Sequence, residues 1–167
     1  MANEAYTRTN QALFFARKAI ESWQQAESSN ALDALTQAQY HREHAVFHLY
    51  RGALALIHEV ADRYRWPLVD ARQVEAVLVP SVVQRFPGPE LAELTELADS
   101  NGTWLAGVIG AWQRLQAPPV PADSGAQSLI ASSAVATTTE WSGSDAQEAL
   151  QALSERVAAY RDGMQEW

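Results

Sequence analysis

Apolar residues recur at three- and four-residue spacing along most of this chain. Tyr6, Leu13, Ala16, Ile20 and Trp23 keep that spacing, and Phe14 and Phe15 widen the apolar face. The pattern predicts an amphipathic helix over residues 7–27 with one buried side. Ser28, Ser29 and Asn30 then interrupt it. Each can accept a hydrogen bond from free backbone N–H groups, so one of them is expected to cap the next helix.

That next helix is the longest. There is no Gly or Pro from Ala31 to Arg51, and a single Gly52 before Pro67. A helix over residues 31–65 spans roughly 50 Å at about 1.5 Å per residue. Its apolar positions are Leu35, Val46, Leu49, Ala53, Leu56 and Val60, with Phe47, Tyr50, Leu54 and Ile57 beside them. At about 100° per residue they cover more than half of the circumference. A helix apolar on so many sides needs neighbours on several sides, which places it in the middle of a bundle. Pro67 ends it, because the ring disfavours helical geometry at Trp66.

The pattern weakens over residues 67–88. A short helix is expected over residues 70–78 with Asp70 as its cap, then a break at Pro80 and a turn over residues 81–85. Pro89 suits the first turn of a further helix. Leu91, Leu94, Ala98, Leu105, Val108, Trp112 and Leu115 hold one heptad phase, so a single helix is expected to Gln116 despite Asp99-Ser100-Asn101-Gly102. Its Gly107 and Gly110 suggest close approach to Gly52 and Ala53. Residues 117–143 read as a flexible or extended linker opened by Pro118, Pro119 and Pro121. Loops this long in compact domains are functional or disordered. Ser144 and Gln147 form a capping-box pattern. Ala146, Leu150, Leu153, Val157, Tyr160 and Met164 then mark the last helix.

One-sided apolar stripes on four main helices are buried together in a bundle. The expected fold is therefore all-α: a four-main-helix bundle with an additional short helix, organised as one domain around the long helix.

Composition narrows the function. The 167 residues carry a formal net charge of −8 and no cysteine. Thiol catalysis, disulfides and thiolate metal sites are excluded. An acidic body repels nucleic acid and anionic lipid, and the closest basic cluster is Arg63-Tyr64-Arg65. No apolar run approaches the roughly 18 residues of a membrane span. The expectation is a cytoplasmic protein that binds neither nucleic acid nor membrane.

All four histidines, His41, His44, His48 and His58, fall on the long helix. Measured from His41, His44, His48, Arg51 and His58 lie at about 300°, 340°, 280° and 260°. Glu59 and Asp62 lie in or beside that sector, opposite the apolar arc. The stripe reads first as a solvated face or as polar gap-filling between helices. It also reads as a metal site, since His41, His44 and His48 can converge at i, i+3 and i, i+4 spacing. A divalent ion there would need carboxylates such as Glu93, Glu96 or Glu148 from other helices. A third reading is catalytic. Arg51 with His58, or Arg42 with His48, resembles the Arg-x(4–6)-His element of helical ribonucleases of the HEPN class. That resemblance implies histidine as general acid and base and arginine on phosphate. The residue after the arginine is Glu43 in one match and Gly52 in the other.

Six tryptophans are expected to act as core anchors, with Trp141 and Trp167 partly exposed around the last helix. There is no phosphate loop, dinucleotide-binding glycine series, nucleophile elbow or paired-histidine zinc-protease motif.

The opening residues 2–11, together with His41-Arg42-Glu43, Phe47-His48-Leu49-Tyr50, Asp99-Ser100, Trp104-Leu105 and Gln165-Glu166-Trp167, resemble an uncharacterised family of small helical proteins from pseudomonad-type bacteria. The resemblance implies a helical fold and brings no catalytic residue. The expectation is a non-enzymatic interaction or scaffold module without a cofactor, whose partner is another protein or a second copy of the chain.

Overall fold

The computed structural model describes residues 2–118 and 141–165. They form seven helices and no strand: α1 (Ala2–Glu27), α2 (Ala34–Tyr64), α3 (Val74–Val77), α4 (Pro80–Arg85), α5 (Pro89–Asp99), α6 (Trp104–Gln116) and α7 (Gly143–Gln165). Most of the expected linker, and Trp167, lie outside the described residues. No described helix is long and apolar enough to cross a membrane.

The all-α bundle is observed, and α2 is its centre. It packs along α1 and also touches α3, α6 and α7, while α7 closes against α1 and α6. Val46, Leu49, Ala53, Leu56, Ile57 and Val60 are buried in one continuous core, as the periodicity requires. The first turns of α2 are different. Leu35, counted among the apolar positions, is 88% exposed. Tyr6, Phe14, Phe15 and Phe47 are exposed too, so the apolar faces of α1 and α2 are narrower than expected.

The helix boundaries differ in instructive ways. The α2 N-cap is Asp33 rather than one of residues 28–30, and its carboxylate makes no cap bond. It accepts instead from Gln37 Nε2 at 3.2 Å. At the other end Trp66 N–H donates to Ala61 O and Arg65 N–H to Asp62 O, with Arg65 left-handed at φ 56°. This is a Schellman stop, one turn of chain before Pro67 can act. The short helix begins at Val74 rather than Asp70, and Pro80 opens α4 rather than breaking a helix.

The single helix expected over residues 89–116 is two helices, separated by Ser100–Thr103. Gly102 takes φ +84°, which a side chain would resist. Thr103 then caps α6: its Oγ1 accepts from Ala106 N at 3.2 Å and donates to Leu97 O. The heptad phase survived because four inserted residues nearly equal one turn of about 3.6 residues. The capping box of α7 is Ser142 with Asp145, not Ser144 with Gln147. Asp145 Oδ2 accepts from Ser142 N at 2.8 Å, and Asp145 N–H donates to Ser142 Oγ at 3.2 Å.

Gly52 does allow close approach, but to different neighbours. A Cβ there would lie 2.9 Å from Leu153 Cδ2 of α7 and 3.6 Å from Ala12 Cβ of α1. Gly107 faces Trp141 instead. A branched side chain at position 52 must separate three helices whose contact residues are buried. Gly52→Val is expected to destabilise the protein by about 2 kcal/mol or more, the upper range for overpacking a core. Chemical denaturation of both proteins measures it, and unchanged stability would contradict this packing.

Candidate functional site

Three polar junctions tie helices of the bundle together, one buried and two part-buried. In the first, the Glu59 carboxylate on α2 receives Arg161 of α7 as a fork, Nε at 2.6 Å and Nη2 at 3.0 Å. Thr9 of α1 donates to the same carboxylate at 2.8 Å. Arg161 also reaches Asn10 Oδ1 at 2.9 Å and lies 3.7 Å above the centre of the Tyr6 ring. In the second, Tyr160 of α7 donates to Glu93 of α5 at 2.9 Å, and Arg156 pairs with that carboxylate at 2.5 Å. In the third, the Tyr50 hydroxyl donates to Glu75 at 2.5 Å and accepts from Val74 N–H at 3.0 Å. Its ring stacks on Trp112 at 4.6 Å. Burial, then the carboxylate beside each hydroxyl, pushes Tyr50 and Tyr160 well above the ordinary phenol range. These acids and hydroxyls are partnered with one another.

His58 belongs with these structural groups. It is 6% exposed, and its Nε2 lies 2.8 Å from the Ala71 carbonyl in the chain after α2. A carbonyl only accepts, so Nε2 carries the proton. Nδ1 is then a bare acceptor, buried without a partner. Burial lowers its pKa most; Ala71 and Asp70 oppose this, while Arg8 and Arg72 add to it. His58 fills a polar gap between α2 and the chain that follows it.

The other three histidines form a separate group. His41, His44 and His48 climb one side of α2 with ring centroids 6.4 and 6.3 Å apart. Aromatic rings flank them. Tyr40 lies 4.2 Å from His44, and Phe47 and Phe15 meet His48 edge-on at 5.1 and 5.2 Å. Phe14 continues the surface along α1, 6.1 Å from Phe15, and Phe47 touches Trp112 at 6.0 Å. Burial, with the charges of His44 and Arg51 after it, lowers the pKa of His48.

The remaining candidates point elsewhere. Arg51 donates to Gln11 of α1 at 3.2 Å, while His58 two turns below faces Ala71. Arg42 donates to the Trp141 carbonyl at 3.2 Å, and His48 faces Phe15 and Phe47. Neither Arg–His pair is joined by these contacts. Among the described residues no three His, Asp or Glu side chains are gathered closely enough to hold a metal ion. Glu93, offered as a possible ligand, is engaged by Tyr160 and Arg156.

Trp141 is 6% exposed rather than partly open, and stacks on Trp23 at 6.0 Å. It separates two clefts. One, of about 350 Å³, includes Thr103, Trp104, Arg114 and Glu148; the other, of about 310 Å³, includes Trp23, Leu35 and Arg42. Neither touches the histidine group.

The pH dependence of stability follows from His58 and His48. Both have folded-state pKa values below the ordinary histidine value of about 6.5. The unfolded chain therefore takes up protons first as pH falls. Their contribution is complete above about pH 6.5 and declines below it. The melting temperature is expected to fall between about pH 7.5 and 5.5. His58→Gln keeps an N–H for Ala71 and loses the titration, so its fall should be shallower. An equal slope in both proteins would contradict the assignment of His58.

No curated protein and no solved structure matches this chain. One family model does, over residues 1–167. That match covers the whole chain, and the chain belongs to the Family of unknown function (DUF6586).

Proposed function

We propose that the protein is a non-enzymatic helical module for protein–protein interaction. Its docking surface is the aromatic–histidine face of α2 and α1. The observation that carries this reading is the exposure of Phe14, Phe15, Tyr40 and Phe47 around three imidazoles. Rings are the side chains whose burial contributes most at interfaces, and the largest contiguous apolar patch of a monomer is often functional. The acids and phenols of the three junctions do not compete as a catalytic set, because each is occupied in joining helices.

Taking about 200 Å² for each ring residue, the exposed fractions of Phe14, Phe15, Tyr40 and Phe47 (52%, 37%, 54% and 44%) come to roughly 370 Å². The imidazoles and the stems of Lys18, Gln37 and Arg51 extend this toward the roughly 800 Å² per partner of a stable complex.

A photoreactive phenylalanine analogue in place of Phe47 tests the reading in the native host. A discrete cross-linked species is expected on irradiation. The same analogue in place of Glu155, exposed on α7, should yield none. Absence of any product at position 47, or equal products at both positions, would overturn the reading.

A further inference from the structure

We infer that the occupant of this face is a second copy of the chain, docked with the two α2 helices antiparallel about a two-fold axis at His44. The inference rests on the reading of the face as a docking surface and names what docks there.

The spacing of the rings carries it. At about 100° per residue, Tyr40 and Phe47 fall about 40° and 60° to one side of His44. His41 and His48 fall about 60° and 40° to the other side. Along the axis, Tyr40 and His41 lie one turn before His44, and Phe47 and His48 one turn after it. A two-fold axis perpendicular to the paired helices reverses the level and keeps the side. Tyr40 then meets the partner's Phe47, and His41 meets the partner's His48, each within about 1.5 Å of the same level. His44 meets the partner's His44. Aromatic rings face aromatic rings along one flank and imidazoles face imidazoles along the other. A stripe without this symmetry about its middle would set rings against unlike side chains.

Charge agrees with the same pairing. Two copies with a net charge of −8 repel each other through most of their surfaces. The positions of this stripe, Gln37, Tyr40, His41, His44, Phe47, His48 and Arg51, include no carboxylate. Arg51 comes to the level of the partner's Gln37, whose amide is held by Asp33 at 3.2 Å. A guanidinium there approaches the partner's Asp33, and symmetry makes the contact twice. Charged groups near the rings include Arg51, Asp33 and Glu43 on or beside the stripe, and Lys18 with Glu21 on α1.

Such an interface gathers six imidazoles. Uncharged, they pack and share hydrogen bonds; protonated, they repel. Acidification should therefore separate the copies.

Sedimentation equilibrium of the full chain at about 100 μM is the test. At pH 7.5 it should give twice the 18.4 kDa chain mass, and at pH 5.0 a species close to one chain mass. His44→Glu, which sets two carboxylates on the axis, should be monomeric at pH 7.5 with an unchanged helical spectrum. His44→Cys, in a chain that has no cysteine, should form a disulfide-linked dimer on mild oxidation, and Glu155→Cys should not. A monomer at pH 7.5, or a dimer indifferent to His44→Glu, would overturn the inference. The photo-crosslink at position 47 separates the two levels. A product of other than twice the chain mass leaves a docking face with a different occupant, and no product removes the docking face as well.

Discussion

The Glu59 carboxylate is buried where α1, α2 and α7 meet, and the register of those three helices depends on how it is paired. A buried carboxylate is costly unless its oxygens are filled. Arg161 fills them from α7 and Thr9 fills one from α1. Sliding any of the three helices by one turn, about 5.4 Å, would leave a charge without its partner. Apolar packing alone tolerates such slips better, because one leucine replaces another. The ion pair therefore specifies the register within which the close contact of Gly52 with Leu153 and Ala12 can form.

With that register set, α2 divides into two parts. Its C-terminal half is enclosed: Glu59 is paired, His58 is tied to Ala71, and Tyr50 is tied to Glu75 and Val74. Its N-terminal half keeps α1 on one side and leaves Tyr40, His41, His44 and Phe47 at the surface. The stripe that looks continuous on a helical wheel is thus two features. The lower part joins helices, and the upper part is a face of aromatic and imidazole rings.

Much of this was legible from the residues, and the failures have local causes. The all-α class, the central place of the long helix and the grouping of His41, His44 and His48 follow from period and spacing alone. The division between α5 and α6 was hidden because the break is nearly one helical turn long. Phe14, Phe15 and Phe47 were counted as core because an apolar side chain at helical spacing looks the same whether it is covered or not. Glu59 was placed in the polar sector, yet nothing local announces Arg161, which arrives from 102 residues away. Pairings over such distances leave no periodic trace. Trp141 was expected to be partly exposed from its position beside a helix end, but Trp23 and Arg42 hold it inside.

The central claim is that the Glu59–Arg161 pair specifies how three helices meet. A double-mutant cycle tests it most directly, using Glu59→Gln, Arg161→Met and the double substitution, with stability measured by denaturant unfolding. Each single change should cost about 3 kcal/mol, since it strands a buried partner. The double change should cost clearly less than the two together, because no charge is left unpaired. Single losses that are small, or that simply add, would contradict the account.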